Sequence, residues 1–173
     1  MDIKTIQNQL AEKHHIFSDF VCSLPAGAFS VSHNNKWTPG QQLEHIYLSI
    51  RPLRQVLALP KFMLKLLWGQ SNRAGRDYDG LVEKYLSKLE SGGRATGRFV
   101  PKAVNMEQRD GINTALANEV QRLCVRLDHF TESELDKYVI PHPLLGKLTL
   151  REMMYFSIYH VQHHDILTRK NLE

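Results

Sequence analysis

Apolar residues recur along this chain at intervals of three and four in four long segments, and no stretch shows the sustained alternation of a half-buried strand. The pattern predicts an all-α fold. The first helix is expected over about Ile3–Leu24, with Ile6, Leu10, Ile16, Phe17 and Phe20 facing the core and PAGAF ending it. The second has a clear start in KWTPGQQLEH. Thr38 serves as N-cap, Pro39 takes the first helical position where its missing N–H is no loss, and Gln41 completes a capping box. This helix runs toward Leu59 and stops at Pro60. Its apolar stripe is Leu43, Ile46, Tyr47, Ile50, Leu53 and Leu57, and Glu44, Arg51 and Gln55 form the polar side. His45 belongs to neither group, sharing a second face with Leu48, Pro52, Val56 and Leu59.

The third long helix is expected over Met106–His129, with Ile112, Leu116, Val120, Leu123 and Leu127 at core spacing. TESELDKYV reads as a short helical turn, with Thr131 and Glu134 as a capping box, and IPHPLLGK as a loop. The last helix begins at LTLRE, where Thr149 and Glu152 make another box, and continues to about Arg169. Four long helices with long connections predict an antiparallel four-helix bundle, a single domain over residues 1–173. Between the second and third helices lies an insertion, Pro60 to Val104. It holds short helices near Phe62–Trp68 and Leu81–Leu89 and two loops rich in Gly and Arg, the kind of segment that shapes or covers a site.

Composition narrows the setting. With 42% hydrophobic residues the chain can fill one core. Cys22 and Cys124 are far apart and read as apolar helix residues, which fits a reducing cytoplasm. The N-terminus lacks the apolar core of an export signal. Val56 to Trp68 falls short of the roughly 18 to 20 apolar residues a membrane span needs, so no membrane partner is expected. The 22 basic and 18 acidic residues are interleaved, and NRAGR and GGRATGR read as solvated loops, so nucleic acid is not an expected partner. The apolar residues of FMLKLLW can pack over the bundle or form a dimer interface, with a homodimer slightly favoured.

The chemistry gathers in YFSIYHVQHHDIL. His160 and His164 are one helical turn apart and fall with the inward stripe of Leu150, Met153, Met154, Ser157 and Val161, while His163 turns about 60° or more away as a rim residue. Two imidazoles at this spacing converge on one ion, and a catalytic centre takes a third protein ligand, for which His45 is the best candidate. His14 and His15 read as surface residues, and His33, His129 and His142 lie in loops or at helix ends. The competing reading is a set of hydrogen-bonded core histidines. Asp165 points elsewhere on the wheel, and Glu44 reads as a surface residue.

WTPGQQLEH, HPLLGKLTLREMM and YHVQHH together resemble the DinB/YfiT-like superfamily of metal-binding four-helix bundles, over most of the chain but not the insertion. The resemblance implies that His45, His160 and His164 bind a divalent ion, often zinc or nickel, with positions open to water. It also implies a metal-dependent thiol S-transferase or hydrolase acting on a small-molecule substrate, with a low-molecular-weight thiol as cosubstrate in the first case. Arg73, Arg76, Arg94 and Arg98 can meet carboxylates of such molecules, with solvated loop charge as the default. The alternative is a non-enzymatic, stress-associated or partner-binding bundle in which the metal or the histidines stabilise the core.

Overall fold

Most long helices begin where a side chain takes over an orphaned backbone N–H. Asp2 accepts from the Thr5 N–H, and reciprocal capping boxes join Thr38 with Gln41 and Thr149 with Glu152. Each such cap is worth about 1 kcal/mol. The computed structural model describes residues 1–32 and 36–173. Helix makes up 70% of the chain. The elements are α1 (Ile3–Ser23), α2 (Ala26–Phe29), α3 (Pro39–Leu57), α4 (Lys61–Trp68), α5 (Tyr78–Glu90), α6 (Arg109–Leu127), α7 (Glu132–Lys137), β1 (Val139–His142), β2 (Gly146–Thr149) and α8 (Leu150–Leu172). No described helix is long and apolar enough to cross a membrane.

Side-chain contacts fix how the four long helices run. Gln7 reaches the Cys124 carbonyl at 2.8 Å and Arg109 the Cys22 carbonyl at 3.0 Å, so α1 and α6 are antiparallel. The Met1 amine bonds the Tyr155 hydroxyl and the Arg169 guanidinium sits over the Phe20 ring, so α1 and α8 point the same way. Arg54 grips Glu119 at 2.6 Å, while Gly40 lies against Val104 just ahead of the entry to α6, so α3 and α6 are also parallel. The antiparallel expectation thus holds for α1 with α6 and, through the contacts of His45 and Gln42, for α3 with α8. It does not hold for α3 and α6 or for α1 and α8. A parallel neighbour requires the chain to travel back along a 19-residue helix, about 28 Å, and the insertion makes that return.

Burial follows the periodicity on α8, where Leu150, Met153, Met154, Ser157 and Val161 are all buried. On α1 it departs from expectation. The buried stripe is Ile6, Leu10, His14, Phe17 and Val21, and Ile16 is 44% exposed because it lies about 120° round the helix from that stripe. Phe20 is half-buried beneath Arg169. His14, read from the sequence as a surface residue, is instead buried. Its Nδ1–H donates to the Leu10 carbonyl at 2.7 Å, and its Nε2 is the one buried side-chain polar atom without a partner among the described residues. The polar neighbours His15 and Lys13 conceal a position that belongs to the apolar face.

Two other expectations change. The IPHPLLGK segment forms a hairpin, with β1 and β2 antiparallel and His142 opposite Gly146, whose φ of 76° closes the turn. Strands of four residues containing Pro141 are too short to show alternation. Arg73 and Arg76 are not solvated loop charges. Arg73 forks onto both oxygens of Glu152 at 2.8 and 2.7 Å, Arg76 donates its guanidinium and backbone N–H to Oε1, and the Thr149 N–H donates to Oε2. Glu152 is fully buried, so the capping residue of α8 also pins the start of the return segment. Leu64 alone on α4 is buried, and Phe62, Leu66 and Leu67 remain 67%, 74% and 51% exposed.

Burial lowers the His14 pKa to about 4, with the bond to the Leu10 carbonyl opposing. An imidazole depressed on folding stabilises least in acid: stability falls as pH drops from about 6.5 toward about 4. His14→Leu is therefore expected to raise the unfolding free energy at pH 7 by about 1 kcal/mol for the removed orphan acceptor, seen as a higher urea midpoint, and to flatten the loss of stability between pH 6.5 and 4. A midpoint that falls at pH 7 would count against an unsatisfied Nε2. For Glu152, burial pushes the carboxyl up, but the Arg73 fork and the Arg76 and Thr149 N–H groups outweigh it and hold it at about 2. Its contribution is present above the ordinary carboxylate range and is lost as pH falls toward about 2. Glu152→Gln should destabilise by about 2 to 3 kcal/mol and open the chain to trypsin after Arg73 and Arg76, read by mass spectrometry of limited digests.

Candidate functional site

Two of the long helices bring three imidazoles together. His45 projects from α3, and His160 and His164 project from successive turns of α8; they are 4%, 6% and 7% exposed. The Nε2 of His160 lies 3.1 Å from that of His45 and 3.0 Å from that of His164, and one nitrogen from each ring lies within 4.8 Å of the others. The sequence places these three on two facing helices, and the fold closes them into one cluster.

The far side of each ring decides what the near side offers. His45 donates Nδ1–H to the Phe99 carbonyl at 2.7 Å, and His164 donates Nδ1–H to the Gln42 side-chain oxygen. With the proton on Nδ1, the Nε2 of each neutral ring is a bare lone pair. At most one proton, on His160, remains to sit between three nitrogens. Burial lowers the His45 pKa, and burial followed by mutual repulsion lowers those of His160 and His164 well below the ordinary value, so the cluster stays neutral at pH 7. Three neutral imidazoles with converging nitrogens could hold a divalent ion. A tetrahedral zinc at its usual bond length spaces its ligand nitrogens by about 3.3 Å, close to the separations here.

Aromatic rings wall the cluster. Trp37 lies 4.9 Å from His45 and 6.3 Å from His164, and Phe156 stacks on His160 at 4.7 Å. The cluster opens on a cavity of about 960 Å³ between α3, α8 and the insertion, whose Trp68, Leu89, Arg94, Arg98 and Phe99 contribute to its lining. Among the described residues, no Asp or Glu lines it. The insertion therefore does cover the site, and through the Phe99 carbonyl it also orients a ligand-type histidine.

His163 does stand apart from the cluster: it is half-buried on the cavity wall, 5.7 Å from the Tyr85 ring. Asp165 pairs with Arg169 at 3.0 Å, and Glu44 accepts the Lys102 N–H at 2.7 Å; neither is in the cluster. His15 and His129 are exposed, and His33 lies outside the described residues. Arg94 and Arg98 line the cavity, whereas Arg73 and Arg76 are committed to Glu152. Cys22 and Cys124 are free, and burial pushes the Cys124 thiol up to about 11, which leaves it a poor nucleophile. Sequence reasoning missed Gln42, Tyr85 and His142. Gln42 had a signal, since it precedes His45 by one helical turn on the same face; the Phe99 contact is made by backbone and had none.

No curated protein and no solved structure matches the chain. The family model described as the DinB superfamily does, over residues 9–167. That span runs from the first half of α1 into the last turns of α8 and takes in all three converging histidines, and the chain accordingly belongs to the DinB superfamily, whose members bind metal.

Proposed function

We propose that the chain is a single-domain metal-dependent enzyme, a thiol S-transferase or a hydrolase, whose four long helices form a bundle around a divalent ion held by His45, His160 and His164. One observation carries this reading. Two Nε2 lone pairs, freed by Nδ1–H donation, meet a third imidazole nitrogen at the wall of a cavity large enough for a small molecule. A buried cluster of lone pairs without a cation is electrostatically unfavourable, and a core built only for packing would use apolar side chains there.

When bound, zinc or nickel supplies Lewis acidity, which lowers the pKa of a thiol or water and polarises an electrophile. The chain's own residues do the rest. Gln42 and the Phe99 carbonyl hold two rings in the required tautomer, as outer hydrogen bonds to metal-binding histidines do. Trp37 and Phe156 exclude bulk water from two sides. His163, kept neutral by burial on the cavity wall, can accept the proton released from a thiol or water. The described lining has no carboxylate and no cysteine, which favours a nucleophile from outside the chain. A thiol cosubstrate favours the transferase and water the hydrolase.

Untagged protein purified without chelators is expected to carry about one zinc or nickel ion per chain. Alanine at His45, His160 or His164 should reduce that to near zero, while His163→Ala keeps it, as read by elemental analysis. Gln42→Leu should keep the stoichiometry but weaken affinity about 10- to 100-fold in a chelator competition. Retention of the ion by His45→Ala would sink the assignment. The metal-loaded protein should conjugate a low-molecular-weight thiol to an electrophile, or hydrolyse an ester, amide or lactone. A bound ion with neither activity across a broad panel would favour a structural metal.

A further inference from the structure

The hairpin carries an imidazole that the metal reading does not use. His142 ends β1, and the N–H groups of Leu144 and Leu145 in the turn both donate to its Nδ1, each at 3.1 Å. Two N–H donors leave no room for a proton on Nδ1, so the ring's proton sits on Nε2. The ring packs edge-on against Phe156 at 4.3 Å, and Phe156 in turn stacks on His160. His142 is therefore one ring removed from the histidine cluster and lines the same cavity. Because Nδ1 faces the turn, Nε2–H points away from it, and the described residues offer it no hydrogen-bond acceptor; the half-buried ring leaves this atom open rather than enclosed.

The surroundings keep this donor neutral. Burial, followed by the charge of Lys84, lowers its pKa to about 4, and Lys84 is held beside the hairpin by its bond to the Leu145 carbonyl at 2.7 Å. An acceptor oxygen fits the space better than another donor. Among the described residues the lining has no Asp or Glu, is mostly apolar and aromatic, and includes the cations Lys36, Arg94 and Arg98. A neutral imidazole N–H fixed by backbone donors is a group suited to polarising a carbonyl without transferring charge.

We propose that His142 is a substrate-binding residue whose Nε2–H donates to a carboxylate or carbonyl oxygen of an apolar-bodied small molecule seated beside the three-histidine cluster. This rests on the reading of the cavity as a substrate site, and not on the ion.

The test uses metal-free protein, so that its failure and a failure to bind zinc or nickel are separate results. Benzoate serves as the probe, combining an apolar ring with a carboxylate. Long-range proton–nitrogen spectra at pH 7 should show His142 with its proton on Nε2, and benzoate should shift those resonances. His142→Asn keeps an acceptor for the two turn N–H groups but loses the distal donor, and should weaken benzoate binding about tenfold or more by calorimetry. His142→Gln keeps a distal N–H but not the turn acceptor, and should bind close to wild type. A merely structural role for His142 gives the opposite order of variants. The proposal is overturned by a proton on Nδ1, by resonances that benzoate leaves unmoved, by His142→Asn binding as well as wild type, or by no binding at millimolar benzoate.

Discussion

An imidazole that donates its Nδ1 proton must present Nε2 as a lone pair, and His45 and His164 do so toward the same point. Everything else at the centre of the molecule follows from those two outer bonds. If either ring flipped its tautomer, its Nε2–H would point at His160 and the cluster would become an ordinary hydrogen-bonded core. Gln42 prevents this from within α3, one turn from His45, and so ties α3 to α8 at the level of the cluster. The Phe99 carbonyl prevents it from the insertion, which links the tautomer of His45 to the path of a segment far from it in sequence.

That path is a consequence of topology. Because α3 and α6 are parallel, the chain must travel the length of these helices between them, and it does so across the side where α3 and α8 leave space. The return segment thereby becomes the cover of the cavity. Its course is pinned early by Glu152, where two arginines and two backbone N–H groups converge on one buried carboxylate, and again by Glu44 at the Lys102 N–H. Glu152 thus caps α8, whose later turns carry two of the clustered histidines, and anchors the segment that orients the third.

What could be read from the sequence divides by range. Start signals and the inward face of α8 depend on residues within a turn or two, and Thr38, Thr149, Met153 and Val161 behave as their spacing indicates. The pairing of His160 with His164 is local, and assigning His45 as their partner needed only the off-stripe position of a histidine on another helix. Failures came where distance or polarity hid the cause. Arg73 and Arg76 find Glu152 more than seventy residues away, and nothing in NRAGR announces it. His14 continues the four-residue spacing of Ile6 and Leu10, yet its polarity outweighed its position. The hairpin was hidden by strands of four residues containing Pro141, and with it the turn that fixes His142.

His14, His142 and the three clustered histidines are all imidazoles that folding takes wholly or partly out of water, and burial lowers the pKa of each. Their partners differ in a way that separates structure from chemistry. The lone pair left over on His14 has no partner among the described residues, although the ring lines the same cavity. On His142 the lone pair is satisfied twice and the proton is left over. In the cluster the protons of His45 and His164 are satisfied on the outside, and their lone pairs are left over together toward His160. A neutral donor and a set of neutral acceptors, one aromatic ring apart on the same apolar wall, suit a substrate oxygen and a metal ion respectively. A core selected for packing alone would have no reason to keep the two patterns complementary.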